Sequence, residues 1–462
     1  MAETVHTPLM EATLTTLLEG KKYATLRDIL TTMHAADIAS IFDQLSEEQL
    51  PRLFRLLPKE LAAETFVEMD QDSQELLIRG FSDTELKNIV NELYVDDAVD
   101  IVEEMPANVV RRILQQADPD MRKTINELLR YPDDSAGSIM TTEYVDLRPN
   151  FTVEESIKRI RRTGVDKETI NSCYVLATDR TLIGVVSIRT LLLSEDTDQI
   201  SEIMDSNVYS VTTGTDQEEV AHQLSRYNCS ALPVVDQENR MVGIVTFDDA
   251  MDVMEDEATE DIEKMAAIIP SERSYMRSSV FSIFKNRIPW LMLLMVSATF
   301  TGMIISGFES ALAAQAVLTI FIPMLMDTGG NSGSQASVTI IRGISLDEIS
   351  FQDLGQVVWK EIRVSVMCGA CLAVVSFGKI LLVDRLIMHN ESVTILVALT
   401  VCLTLMLTIC VAKIVGCTLP MLAKKIGFDP AVMASPFITT IVDALSLLIY
   451  FRVASLLLHL SA

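Results

Sequence analysis

The stretch Pro323-Met-Leu-Met-Asp-Thr-Gly-Gly-Asn-Ser-Gly-Ser-Gln335 closes an apolar run that begins near Leu312. It places the carboxylate of Asp327 and the amide of Asn331 among three glycines and several hydroxyl side chains. Unsatisfied polar groups are costly in lipid, so these side chains must face protein or a watery path. Glycines let backbones approach closely and leave carbonyl oxygens open to a cation. The stretch predicts a polar helix end packed in a bundle or part of an ion pathway, and ionisable groups at membrane depth favour the pathway.

Composition divides the chain into two halves. The 462 residues have a mean hydropathy of +0.30 with 22% charged residues. Residues 1–280 carry a net charge of -28, whereas residues 281–462 carry +1. We therefore expect an acidic soluble half followed by a membrane half. So acidic a front half excludes nucleic acid as a partner and favours cations.

The cysteines and the N-terminus do not indicate a disulfide-rich or secreted protein. The seven cysteines form no disulfide framework, and Cys368-Gly-Ala-Cys371 lies within an apolar run where cysteine behaves as a small hydrophobe. The first residues, Met1 to Leu18, have no charged start followed by a long apolar core, so no cleaved signal peptide is expected.

Residues 1–135 are predicted to form a superhelix of short helices. Apolar positions recur at helical spacing, for example from Ala36 to Leu45, and similar units follow one another along the domain. Its one distinctive feature is Asp96-Asp97-x-x-Asp100, with carboxylates at i and i+4 on one helix face. Such a face is usually solvated, and it becomes a divalent-ion site only if another acidic surface meets it.

Residues 136–255 contain an internal repeat. Ser138-Ile-Met-Thr-Thr returns as Glu202-Ile-Met-Asp-Ser, and each copy continues with two β-rich segments and a helix. This tandem resembles a CBS-domain pair. In that family, Gly-hydrophobic-hydrophobic-Ser/Thr-x-x-Asp binds adenine nucleotides, and the second copy has the motif complete. Its residues are Gly243, Thr246 and Asp249.

The first copy departs from that motif. It has Gly184 and Ser187, but Thr190 stands where the aspartate belongs. The resemblance therefore implies at most one nucleotide site, for ATP or another adenine nucleotide, in each pair. A purely structural dimerisation module remains the alternative.

Residues 256–285 are predicted to form a helical connector that is broken near Pro270. A dense acidic run that starts at Asp252 extends into the head of this connector and includes Glu260 and Asp261. The C-terminal end of the connector, next to the membrane half, is rich in basic residues.

Five membrane spans are expected within residues 286–462, because each apolar run approaches the roughly 20 residues needed to cross a bilayer. Lysine and arginine placement puts the front half in the cytoplasm, and Lys379 and Arg452 are expected to extend outward to the interface. The interval Arg342–Lys360 is predicted to be a surface loop. The expected spans are Ile288–Phe308, Leu312–Met326 continuing through the glycine stretch, Val364–Val383, Val393–Ile414 and Ala431–Leu458.

The last span carries an isolated carboxylate. Thr439, Thr440 and Asp443 share a helix face, and Asp443 lies about 20 Å beyond Asp429 if the helix is continuous. No lysine or arginine stands near Asp443 in this span. A hydrated divalent cation is the expected partner, and a protonated structural aspartate is the alternative.

Both membrane constellations resemble the MgtE-type magnesium channel and transporter family, and so does the domain order along nearly the whole chain. The implied fold is a multi-domain membrane protein with an all-α N domain, an α/β CBS pair, a connector or plug helix, and five transmembrane helices. The resemblance implies a homodimer in the plasma (inner) membrane, with hydrated Mg²⁺ held in the pore by Asp443. Asn331, Thr439 and Thr440 would line the same site.

The resemblance also implies that cytoplasmic Mg²⁺ closes the pore by binding acidic side chains. The family's sensing carboxylates fall on these residues of the present chain: Asp96, Asp100, Asp249, Asp252, Glu260 and Asp261.

Three alternatives stay open at this point. The same fold could act as a secondary carrier or exchanger, or could pass Co²⁺ and Ni²⁺ as well. The spans could instead only anchor a nucleotide sensor, which would leave Asp443 without a role. Enzymatic activity is not expected, since the sequence has no nucleophile–base pair and no phosphate loop.

Overall fold

The computed structural model describes residues 13–18, 20–271, 275, 278–346, 348–433 and 435–459. The chain divides into two compact units, Met1–Met254 and Glu255–Ala462, and each is described by itself.

The first unit opens with short amphipathic helices. Helix starts are set locally, as at Ser82, whose hydroxyl accepts from the Glu85 backbone N–H while the Glu85 carboxylate accepts from the Ser82 N–H. Helices pack mainly against their second neighbours, which produces the predicted superhelical stack. Within residues 23–128 the helices are α1 (Tyr23–Leu30), α2 (Ala35–Phe42), α3 (Leu50–Phe54), α4 (Lys59–Val67), α5 (Gln71–Gly80), α6 (Asp83–Val90), α7 (Val95–Glu104), α8 (Ala107–Gln116) and α9 (Pro119–Leu128).

Two similar α/β repeats follow. In each, a short parallel strand joins an antiparallel hairpin, giving sheet orders β1-β2-β3 and β4-β5-β6. The first repeat comprises β1 (Val145–Leu147), α10 (Val153–Thr163), β2 (Ser172–Leu176), β3 (Leu182–Ser187), α11 (Ile188–Leu193) and α12 (Ile200–Ile203). The second comprises β4 (Val211–Thr212), α13 (Gln217–Tyr227), β5 (Ala231–Val235), β6 (Met241–Thr246) and the start of α14 (Phe247–Met265).

The two repeats exchange their leading segments. Thr141, which precedes the first repeat, exchanges both backbone hydrogen bonds with Ile244 of the second, at 2.8 and 2.9 Å. Asp205 does the same with Val185 of the first repeat, at 2.9 Å in both directions. The repeated Ile-Met motif seen in the sequence is therefore the segment that each copy contributes to the other.

The connector differs from its prediction. Helix α14 begins at Phe247, inside the second repeat, and ends at Met265. Ala267 adopts a left-handed conformation with φ +55°, which stops the helix before Pro270, and the next helix starts at Val280. The predicted break near Pro270 thus lies between Met265, where α14 ends, and Val280, where helical structure resumes, so the interruption is longer than a kink at one proline.

The second unit is helical. Its main helices are α15 (Val280–Gly307), α16 (Glu309–Ala314), α17 (Ile322–Ser345), α18 (Leu354–Lys379), α19 (Ile395–Lys425) and α20 (Ser435–Leu457). Within the described residues, four segments are long and apolar enough to cross a membrane: Val280–Gly307, Phe351–Ile387, Ile395–Lys425 and Pro430–Leu457.

The predicted second span lies in α17, with shifted bounds. The apolar residues Ala316–Phe321 form a short 3-10 turn, so the helix starts at Ile322 and runs through the glycine stretch. It has a suitable length but carries more polar residues than the four spans above. The predicted loop over Arg342–Lys360 is shorter than expected, since α17 continues to Ser345 and α18 begins at Leu354.

Lys379 forms an ion pair that the sequence analysis did not predict. The chain continues from α18 into a π-helical turn, Ile380–Ile387, whose i, i+5 spacing brings Asp384 next to Lys379. The ammonium donates to both carboxylate oxygens at 2.9 and 3.3 Å, and Asp384 is buried. Lys379 therefore pairs within its own segment, because a buried carboxylate requires a counter-charge.

Candidate functional site

The predicted pore residues lie on two packed helices, α17 and α20. Asp443 is half-buried on α20, one turn beyond Thr439 and Thr440. The hydroxyls of Thr439 and Thr440 both donate to the carbonyl oxygen of Pro436, at 2.9 and 3.0 Å. Because each hydroxyl proton is used in this hydrogen bond, neither threonine can donate another. The oxygen lone pairs remain available to accept a hydrogen bond.

Glycines bring the two helices together. A methyl group added to Gly330 would lie 3.0 Å from the side chain of Thr439, and one added to Gly333 would lie 2.9 Å from Ile438. Gly329 is equally confined, with Ser446 of α20 at 2.9 Å and Thr408 of α19 at 2.7 Å from the added atom. The glycine face of α17 is thus the packed face, as expected for membrane helices that associate through small residues.

The opposite face of α17 is polar and open. Asp327, Asn331 and Gln335 follow one another at intervals of four residues, and all three are exposed in the single chain. Asp327 lies close enough to Asp443 for the two carboxylates to interact electrostatically. The structure thus brings Asp327 to the predicted site, although the sequence prediction assigned only Asn331 from this helix.

The Asp443 carboxylate is unpaired among the residues that the structure describes. Among the described residues, no hydrogen-bond donor or cationic side chain contacts its carboxylate. A carboxylate in a membrane helix is normally paired or functional. The arrangement can hold a cation that keeps its own water shell.

The first unit gathers acidic residues around α7. Asp96 is buried, and one of its carboxylate oxygens has no hydrogen-bond partner among the described residues. Burial, followed by the charge of Asp249, raises the pKa of Asp96 well above its usual range. The same two causes raise the pKa of Asp97 to about 7.

The second acidic surface comes from both CBS repeats. Burial, then the charges of Asp249 and Asp97, raise the pKa of Glu168 to about 8. Burial also raises the pKa of Asp249, although a 2.6 Å hydrogen bond from the Thr246 hydroxyl opposes the shift. The carboxylates of α7 therefore meet another acidic surface, which was the condition set by the sequence for a divalent-ion site.

Two other carboxylates predicted to sense Mg²⁺ are more exposed to solvent. Asp100 and Asp252 are exposed, and both interact electrostatically with Asp249. Within the described part of the chain, no three carboxylate, cysteine or histidine side chains converge closely enough to form a metal cage. The acidic surfaces thus fit hydrated ions held through water better than a dehydrated ion, and Mg²⁺ is a cation that gives up its water reluctantly.

Glu260 and Asp261 lie in the second unit, near the start of the last helix. The ammonium of Lys264 donates to Glu260 at 2.6 Å and to Asp429 at 2.7 Å. Asp261 accepts a hydrogen bond from the Ser345 hydroxyl at 3.3 Å, and burial, then the charge of Asp429, raises its pKa.

The nucleotide motif adopts a compact arrangement. Gly243 is covered by Met140 and Thr141, and a methyl group on Gly243 would lie 2.7 Å from the Thr141 carbonyl oxygen. Thr246 is buried and donates to Asp249. In the first copy the Ser187 and Thr190 hydroxyls lie 2.9 Å apart, so Thr190 occupies the aspartate position without its charge.

Sequence reasoning missed a second intramembrane ion pair. Lys413 of α19 and Glu361 of α18 are 3.5 Å apart, and both side chains are largely buried. A lysine within an otherwise apolar run signals such a pair, but its partner lies in another helix.

Family models match the chain in three regions. Residues 322–453 match the MgtE divalent cation transporter model, residues 33–134 match the MgtE intracellular N domain, and residues 136–195 and 200–256 match CBS domains. These matches confirm the resemblance inferred from the membrane signatures and the repeat.

Relatives match over almost their whole length. A magnesium transporter MgtE of Thermus thermophilus is 36% identical over 463 residues, covering 99% of this chain and 100% of that protein. A magnesium transporter MgtE of Bacillus subtilis is 32% identical and covers 96% of each chain. The crystal structure of the cytosolic domain of the Mg²⁺ channel MgtE in complex with ATP superposes with a TM-score of 0.51 at 37% identity, covering 53% of this chain and 99% of that one. The present chain belongs to the MgtE family.

Proposed function

We propose that this chain is a multi-pass membrane protein that carries Mg²⁺ into the cell as a homodimer, with Asp443 of each copy facing a pore on the two-fold axis. The main support is the half-buried Asp443 carboxylate, which has no counter-charge among the described residues. The names of its relatives support Mg²⁺ as the transported ion. One carboxylate from each copy, with waters retained, suits an ion that dehydrates reluctantly.

The open polar face of α17 supports the dimer. Asp327, Asn331 and Gln335 are exposed in the single chain, yet α17 packs on α19 and α20 through its glycines. A polar face cannot stay against lipid, so a second copy and a water-filled path between the copies would satisfy it. In this arrangement Asn331 and the carbonyls near Thr439 bind the waters of the ion.

Ion flux into proteoliposomes tests the pore. Asp443→Asn keeps the shape of the side chain and removes its charge, and it should abolish most Mg²⁺ uptake while the protein remains dimeric. Glu391→Gln removes a charge from an exposed loop of the same unit and should leave uptake unchanged. Normal uptake by both Asp443→Asn and Asp443→Ala would refute the proposal.

The acidic surfaces of the soluble half serve as the proposed sensor. Asp96, Asp97, Glu168 and Asp249 gather like charges that repel one another, and bound Mg²⁺ would replace that repulsion with attraction. Binding can shift the open–closed equilibrium only by its differential affinity, about 1.4 kcal/mol for each tenfold, so several sites share the closure. Losing one site should shift the midpoint rather than erase closure.

Open probability against cytoplasmic Mg²⁺ tests the sensor. Neutralising Glu260 and Asp261 together, or deleting residues 1–130, should leave the pore open at Mg²⁺ concentrations that close the wild type. Single-channel currents without a counter-ion gradient would also separate a channel from an exchanger. If both variants close at the wild-type concentration, the acidic half is not the sensor.

The second repeat is the proposed adenine-nucleotide site. The Thr246–Asp249 pair is formed, and a relative's cytosolic domain is known in complex with ATP. Calorimetry should find one ATP site in each chain, lost in Asp249→Asn. Two equivalent sites would contradict this reading, and no binding at all would leave the CBS pair a structural module.

A further inference from the structure

Lys264 is the cation at the centre of an acidic cluster in the second unit. It stands in the last turn of α14, and its ammonium bridges Glu260 and Asp429 at 2.6 and 2.7 Å. Its side chain is 23% exposed, so the bridge is partly shielded from solvent. Asp261 lies close enough to feel the charges of Asp429, Lys264 and Glu260. Two carboxylates thus pair with one ammonium, and a third lies near it.

The bridge and its neighbours join the end of α14 to α17 and to the segment before α20. Asp429 also accepts a 2.7 Å hydrogen bond from the Ala431 backbone N–H, just before α20, the helix that carries Asp443. Met265 packs against Ile341 of α17 and against Ala431. Asp261 accepts from Ser345 at the end of α17. Among the described residues, the end of α14 is therefore held by the Lys264–Asp429 ion pair, the Ser345–Asp261 hydrogen bond and a small apolar contact.

We propose that Lys264 is a built-in counter-cation that competes with Mg²⁺ for these carboxylates and so sets the Mg²⁺ concentration at which the connector locks. This inference rests on the proposed closure by cytoplasmic Mg²⁺. With the ammonium in place, the cluster offers a divalent ion less negative charge and adds a repelling neighbour. The same ammonium holds the end of α14 when Mg²⁺ is absent, which keeps three carboxylates together at low Mg²⁺.

The two partners of one ion pair should then have opposite effects. Lys264→Met removes the competitor, so the connector should lock at about tenfold lower Mg²⁺, given the energy of charges a few ångströms apart near a protein surface. Asp429→Asn can still accept from Ala431 but loses its charge, so the midpoint should move to higher Mg²⁺. Lys264→Arg keeps the charge and should remain near the wild type. A purely structural salt bridge would instead give both neutral variants shifts in the same direction.

Hydrogen–deuterium exchange of residues 255–265 measures the locking directly, using the full-length protein in lipid nanodiscs titrated with MgCl₂. Without Mg²⁺, Lys264→Met should exchange faster than the wild type in this segment. At saturating Mg²⁺ it should match the wild type, which shows that the variant is folded. Lys264→Gln repeats the measurement with a polar replacement.

The outcomes are distinct. A lower midpoint in Lys264→Met together with a higher one in Asp429→Asn supports the inference. An unchanged or higher midpoint in both Lys264→Met and Lys264→Gln overturns it. If the wild type itself shows no Mg²⁺-dependent protection, the proposed closure fails first, and the inference falls with it.

Discussion

Gly416 of α19 lies directly against Gly333 of α17, and a methyl group on Gly416 would overlap the Gly333 carbonyl, lying 3.0 Å from its carbon. The obstacle is backbone, which cannot rotate away as a side chain can. The separation of α17 and α19 is therefore fixed by the absence of a side chain at this position.

Gly416→Ala should force these helices apart and destabilise the membrane half by about 1–3 kcal/mol, the usual cost of overpacking. Because α17 carries Asp327 and Asn331, moving this helix should also displace the proposed pore residues. The variant should therefore show both a lower melting temperature and lower Mg²⁺ uptake. Gly302→Ala is the matched control, since a methyl group there meets nothing within 4 Å. Equal stability and uptake in both variants would show that the packing is more tolerant than the geometry indicates.

The Glu361–Lys413 pair predicts strong coupling between its members. Glu361→Gln leaves a buried ammonium and Lys413→Met leaves a buried carboxylate, so each single change should cost about 3–5 kcal/mol. Glu361→Gln with Lys413→Met removes both charges and should recover most of that loss. The measurement is a double-mutant cycle on thermal stability in detergent. Additive losses would mean that the two groups are not coupled.

The acidic surface around α7 predicts that stability of the soluble half depends on pH. The folded pKa of Asp97 is about 7, above its unfolded value near 3.9, so the folded state binds the proton more tightly. The contribution of protonated Asp97 to the free energy of unfolding is full below about pH 4 and is lost as the pH rises through 7. This free energy changes by at most about 1.4 kcal/mol per pH unit. In Mg²⁺-free buffer, the melting temperature of the soluble half should therefore rise from pH 8 to pH 5.

Asp97→Asn is the control for that dependence. The amide cannot ionise, so the variant should be more stable than the wild type at pH 8 and should show a shallower slope. Identical slopes in the two proteins would assign the pH dependence to other groups. Saturating Mg²⁺ should also flatten the wild-type slope if the ion binds these carboxylates.

The exchanged segments of the CBS pair predict two sensitive glycines. Gly243→Ala would meet Met140 and the Thr141 backbone, and Gly184→Ala would meet Met204 and the Asp205 backbone. Both changes should lower the melting temperature of the soluble half, Gly243→Ala more, because its backbone obstacle is nearer. Gly214→Ala has no neighbour within 4 Å and should have little effect. Differential scanning calorimetry would compare the three, and an equally strong effect of Gly214→Ala would contradict the explanation.

Structural features that produce a local periodicity or a repeat could be predicted from the sequence. The shared face of Thr439 and Asp443 follows from helical spacing, and the CBS pair was visible as a duplicated motif. Lys413 and Glu168 were missed because their partners, Glu361 and Asp97, lie in distant segments that only the fold brings near. Alanine is not a turn signal, so the left-handed Ala267 that ends the connector could not be anticipated.

The exchange between the CBS repeats also fixes an order of events during synthesis. Gly243 in β6 is covered by Met140, which precedes the first repeat, so that segment leaves the ribosome long before its partner exists. The first repeat must likewise wait for Met204 and Asp205 before its hairpin edge is closed. Neither hairpin completes its pairing within its own repeat, and Thr141 gains its Ile244 backbone partner only once β6 has emerged. The membrane half follows only afterwards, so the soluble half can be complete before insertion into the bilayer begins.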